Sequence, residues 1–106
     1  MEVLKFADYG QERERIATES ELEIFDLIRS MAGHDMGLVR KSDNYVTAVY
    51  KGWDLARIKF TNRAKWILFP VIESPSNKHR ISDPSDVSEF ADLVAESMAH
   101  IEKYSQ

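Results

Sequence analysis

Tyr45-Val46-Thr47-Ala48-Val49-Tyr50, Lys51-Gly52-Trp53-Asp54, Leu55-Ala56-Arg57-Ile58-Lys59-Phe60-Thr61: this stretch decides the fold. Its first part is rich in β-branched and aromatic residues, which favour strands. Its last part alternates apolar and polar strictly, the signature of a half-buried strand. The residues between them read as a hairpin turn. If Gly52 to Asp54 form a three-residue loop, Tyr50 faces Ala56, Ala48 faces Ile58 and Val46 faces Phe60. That set is apolar and belongs inside. Tyr45, Thr47 and Val49 then share the opposite face with Arg57 and Lys59. A two-residue loop would mix Arg57 with Ala48 on one face, so it is rejected.

Downstream, Asn62-Arg63-Ala64 turns the chain again, and Lys65 to Ile72 forms a third strand that is apolar on both faces. A three-residue second turn sends Trp66 and Leu68 inside. A two- or four-residue turn reverses this and sends Lys65, Ile67 and Phe69 inside, and the pattern leaves both registers open. Glu73 to Ser82 reads as a polar loop. Asp83-Pro84 then opens the last helix, with Asp as cap and Pro at the first helical position. Val87, Phe90, Val94, Met98 and Ile101 keep one face of that helix apolar.

Upstream, a helix begins near Thr18 to Ser20. Both Ser20-Glu21-Leu22-Glu23 and Thr18-Glu19-Ser20-Glu21 have capping-box spacing. Ile24, Leu27, Ile28 and Met31 recur at helical spacing, and Gly33 is placed as a stop. Residues 1–17 read as an N-terminal arm or frayed helix, and residues 18–106 as a single domain. The predicted fold class is α+β: a two-layer sandwich in which two helices cover one face of a three-stranded antiparallel meander.

Composition bounds the function. A chain of 106 residues suits one domain. It has no cysteine, which excludes disulfides, thiolate metal sites and cysteine nucleophiles. No apolar run approaches the roughly 20 residues of a membrane helix. The short N-terminal run Met1 to Phe6 does not fit a secretory signal. The expected location is cytoplasmic, with no membrane partner.

Charge is sorted by segment. Residues 40–66 hold seven Lys or Arg against two acids, a net of +5, inside a chain of net −4. Such a local field can select partners although the total charge is small.

Catalytic motifs are wanting. His34, His79 and His100 show no metal-ligand spacing. None of the four glycines makes a phosphate-cradling loop. No Ser sits in a Gly-flanked elbow. The helix–three strands–helix order resembles the core of restriction-type nucleases, in which Asp54 would be the first metal-binding acid. The partner carboxylate is missing from Lys65-Trp66-Ile67-Leu68. The order also resembles the double-stranded-RNA-binding domain, but Asp83 and Asp86 stand where that fold needs cations to hold phosphates.

A further likeness is carried by Tyr45-Val46, by Ala56-Arg57-Ile58-Lys59-Phe60, by Ala64-Lys65-Trp66-Ile67 and by the closing helix after Ile81-Ser82. Here the chain resembles small uncharacterised helix–three strands–helix domains of bacterial and phage proteins. That resemblance implies a fold and no activity.

The expectation is therefore a non-catalytic binding module without cofactor. It would contact a protein partner, or a second copy of itself, through the open sheet face. The residues singled out are Trp53, Arg57, Lys59, Arg63 and Lys65. Trp66 reads as core, and Trp53, in a turn, as a contact residue. The alternatives are weak nucleic-acid binding by the basic hairpins and a degenerate metal-dependent nuclease.

Overall fold

The computed structural model describes residues 15–42, 44–73 and 77–105, with Lys41 described by its backbone alone. Most of the expected N-terminal arm, residues 1–14, lies outside the described residues. The elements run α1 (Glu19–Ala32), β1 (Gly37–Ser42), β2 (Tyr45–Tyr50), β3 (Trp53–Phe60), β4 (Lys65–Leu68), β5 (Lys78–Arg80), a 3-10 helix (Pro84–Phe90) and α2 (Ala91–Tyr104). The five strands form one antiparallel meander in the order β1-β2-β3-β4-β5. The α+β class is as expected; the sheet has two more strands than the sequence suggested.

Thr18 caps α1. Its hydroxyl accepts from the Glu21 backbone N–H at 3.1 Å, and the Glu21 carboxylate accepts from Thr18 N–H at 3.0 Å. This is the earlier of the two capping boxes. Gly33 ends the helix in the left-handed region at φ 70°. The final helix is divided. Asp83 and Asp86 cap a 3-10 segment that begins with Pro84, and α2 continues from it without a side-chain cap.

The β2–β3 turn corrects the predicted register. Lys51 and Gly52 both have positive φ, 52° and 82°, so the loop has two residues and the form of a type I′ turn. A bulge reconciles it with the inward set. Ala48 pairs with Ala56 and Val49 with Asp54, which leaves Leu55 as the extra residue. Val46 then meets Ile58. The pairing has slipped by two residues from expectation, and a slip of two keeps Ala56 and Ile58 inward and Arg57 and Lys59 outward. Leu55 and Ala56 are both buried in the core.

Four residues make the second turn, because Phe60 pairs with Lys65. The Thr61 hydroxyl closes it, accepting from the Arg63 and Ala64 backbone at 3.3 and 3.2 Å. Ile67 and Phe69 therefore enter the core, and Trp66 and Leu68 take the outer face. The strand stops at Leu68 and does not reach Ile72: Pro70 has no N–H to give a ladder.

The core joins Ile24, Phe25 and Ile28 of α1 to Val94, Met98 and Ile101 of α2 across the inner sheet face. One buried ion pair locks three elements. Glu21, 2% exposed, accepts from Arg40 of β1 at 3.2 Å and from the Phe60 backbone N–H at 3.1 Å.

Candidate functional site

Strand pairing sets out the outer sheet face in rows. One row runs Lys59, Trp66, Arg80; the next runs Thr47, Arg57, Leu68, Lys78. The face is not uniform. At the β1–β2 side Val39 and Thr47 are buried, and Val39 stands apart from the main core. From β3 to β5 the side chains are half-buried or exposed.

The cations of that half come from distant parts of the chain. Arg57 is occupied: its guanidinium meets Asp54 at 3.4 Å and lies over the Tyr45 ring at 5.4 Å. Lys59, Arg63, Lys65, Lys78 and Arg80 have no carboxylate within ion-pair distance among the described residues. Lys65 leaves on the side opposite Trp66, with its ammonium 5.0 Å from the centre of the Phe60 ring.

β5 is held in place from the other side. His79 alternates with Lys78 and Arg80, and turns inward against Phe90 at 4.7 Å and Phe69 at 6.3 Å. Ile81 is buried just beyond it. The inward pair fixes the strand, and alternation then aims Lys78 and Arg80 outward. Lys78 reaches the Trp66 ring, its ammonium 4.7 Å from the centroid. Tyr45 lies 6.1 Å from the same ring.

A cleft of about 560 Å³ opens at this end of the sheet, lined by residues 62–66, 78 and 80–82. Four of the nine are Lys or Arg, and none is acidic. Asp83 and Asp86 follow directly, and one oxygen of each is bonded to the helix start. Asp86 accepts from the Ser82 and Asp83 N–H groups at 2.9 and 3.0 Å. Asp83 accepts from the Ser85 hydroxyl and backbone N–H, bonds that hold its carboxyl below the usual aspartate range. A volume near 560 Å³ lies inside the range of small-ligand pockets, roughly 300–1,000 Å³.

The five singled-out residues are therefore divided among three places. Arg63 and Lys65 line the cleft. Arg57 and Lys59 lie on the adjoining outer face. Trp53 lies at the far end of β3, about 23 Å from Phe60 by strand rise. It is 43% exposed and packs on Tyr104, 63% exposed, with ring centres 6.5 Å apart. Trp66, read as core, lines the cleft instead. Lys78 and Arg80, read as loop, complete it.

His34, His79 and His100 lie in separate places, against Tyr50, Phe90 and Tyr104 respectively. Among the described residues no group of three or more His, Asp or Glu could hold a metal ion. No helix there is long and apolar enough to cross a membrane. No protein-family model, no curated protein and no solved structure matches this chain.

Proposed function

We propose that this chain is a non-catalytic binding module that holds an anionic partner against the β3–β5 half of its outer sheet face. One observation carries the reading: a cleft lined by Arg63, Lys65, Lys78 and Arg80 with no acidic side chain, in a protein whose net charge is −4. Unpaired like charges held together repel one another, and an anion relieves that repulsion. A second copy of the chain suits this surface poorly. In a two-fold dimer the same patch meets itself, and cations would face cations.

The test is retention on immobilised heparin at low salt, compared with a Lys78→Ala/Arg80→Ala double variant. The wild type is retained and elutes as salt rises; the variant elutes earlier. Flow-through of the wild type at low salt rejects the proposal. Light scattering at high concentration is expected to give a monomer, and a dimer abolished by the same double substitution would favour self-association instead.

The paired Trp53 and Tyr104 support a second contact, with a protein. They are the exposed large hydrophobic residues among those described, and they adjoin. Trp53→Ala is expected to leave heparin retention unchanged.

A further inference from the structure

We infer that the anion is a single-stranded nucleic acid, with one base stacked on Trp66 and the flanking phosphates held by Lys78, Arg80 and Arg63. This rests on the anion-binding reading above and gives it a ligand class. Charge alone does not distinguish a nucleic acid from an acidic protein; the aromatic residues do. Trp66 lies between two cations in its row, Lys59 and Arg80. Adjacent strands are about 4.8 Å apart, so both reach the perimeter of whatever covers the ring.

The Trp66 face is accessible from solvent, because the exposed Lys78 already lies over it. An ammonium there marks the place a planar base can take. Lys78 is long and unpaired; it can swing aside and exchange a ring for a phosphate. Tyr45 adjoins Trp66, and Arg57 lies over the Tyr45 ring. The order of contact is cation, ring, ring, cation. A polymer that carries both anionic groups and flat π-faces can use the cations and the rings together. Glutamate and aspartate side chains would satisfy the cations and leave both rings idle. A duplex would offer phosphates, but its bases are stacked inside and present only edges.

Geometry permits a continuing strand. Lys78 and Arg80 are two residues apart on β5, about 6.6 Å along the strand. β5 is the sheet edge, so a polymer can pass over it and beyond the cleft.

The chain has two tryptophans, which makes the test direct. In a Trp53→Phe background Trp66 is the sole indole. Titration with a labelled oligothymidylate and an oligouridylate at low salt should quench its fluorescence and raise probe anisotropy together. Trp66→Leu should weaken binding about 5- to 150-fold, the range for one base–aromatic stack, and Trp66→Phe should keep most of it. A thermal melt of each variant separates loss of the ring from loss of the fold. Three phosphate contacts would give a log–log salt slope of about −2, and Lys78→Ala should reduce it by about 0.7.

Four outcomes overturn the inference. Fluorescence of Trp66 unchanged at saturating oligonucleotide removes the stack. A folded Trp66→Leu variant that binds as well as wild type does the same. Poly-glutamate, or duplex of equal length, bound as tightly as single strands removes the ligand class while leaving the anion-binding reading intact. Failure to bind any of these polyanions at low salt would remove both.

Discussion

Replacing Glu21 should cost more than any other single polar substitution among the described residues. Its carboxylate is buried and accepts three hydrogen bonds: from Thr18 N–H at 3.0 Å, Arg40 Nη2 at 3.2 Å and Phe60 N–H at 3.1 Å. Removing one partner of a buried ion pair costs roughly 3–5 kcal/mol. Two facts reduce that here. The Arg40 side chain is 30% exposed, and its guanidinium also donates to the Ile16 and Ser42 carbonyls. About 2–4 kcal/mol remains for Glu21→Ala. Thr18→Ala removes the cap and an exposed 3.3 Å hydrogen bond from the Thr18 hydroxyl to the Phe60 carbonyl, and should cost about 1 kcal/mol. At this chain length 1 kcal/mol moves the midpoint about 4 °C, so Glu21→Ala should melt roughly 8–16 °C below wild type. Urea unfolding gives the energies, with an unchanged slope showing that the unfolded state is not altered. A Glu21→Ala loss under 1 kcal/mol, or one equal to that of Thr18→Ala, would refute the claim that this carboxylate joins α1 to β1 and β3.

Other outcomes follow from single contacts. Lys51 holds φ 52° beside Gly52, so Lys51→Asn, which tolerates that conformation, should stabilise the hairpin by up to about 1 kcal/mol in urea unfolding. Gly52→Ala meets no atom within 4 Å, so its cost should be the backbone strain alone, about 1–2 kcal/mol. Burial, then the hydrogen bond to Glu102 and its charge, raise the Tyr50 phenol above its ordinary value. The folded state thus keeps a proton that the unfolded state releases, and stability falls as pH rises above about 10. Melts across that window should show the fall in wild type and a shallower one in Tyr50→Phe. The double reversal Lys78→Glu/Arg80→Glu should abolish heparin retention while the melting temperature and monomeric state stay close to those of wild type.

Much of the fold is legible because its signals are local. The α1 capping box, the Gly33 stop, the two hairpins and the inward set Val46, Ala48, Ala56 and Ile58 all arise from residues within a few positions of one another. The bulge is not legible, since Leu55 and Ala56 both face inward and break the alternation used to exclude a two-residue turn. β1 is hidden for a different reason. Arg40 points inward and is satisfied by Glu21, 19 residues upstream, a pairing no local pattern announces. β5 is three residues long and carries Lys, His and Arg, which read as loop. The basic character of residues 40–66 was visible, but the cleft was not. Its other wall is brought there by the pairing of Trp66 with Arg80 and Leu68 with Lys78. The signal that could have found it is alternation: Lys78 and Arg80 share one face, His79 and Ile81 the other.

Cations on β5 have a plainer explanation, since exposed edge strands carry charge to prevent pairing with other chains. That explanation accounts for Lys78 and Arg80 alone. It says nothing of Arg63 in the turn before β4 or Lys65 at the start of β4, which line the same cleft, or of Trp66 on the strand inside the edge. Edge protection is also indifferent to sign: two glutamates repel an incoming strand as well as two cations do. The reversal of both β5 cations therefore separates the explanations. If they protect the edge, the reversed protein remains a monomer, and any polyanion affinity it had is unrelated to them and survives. If they are half of a binding surface, the monomer persists and the affinity is lost. Cations from the β3–β4 turn, from the start of β4 and from β5 line one cleft together with Trp66, which favours the second outcome.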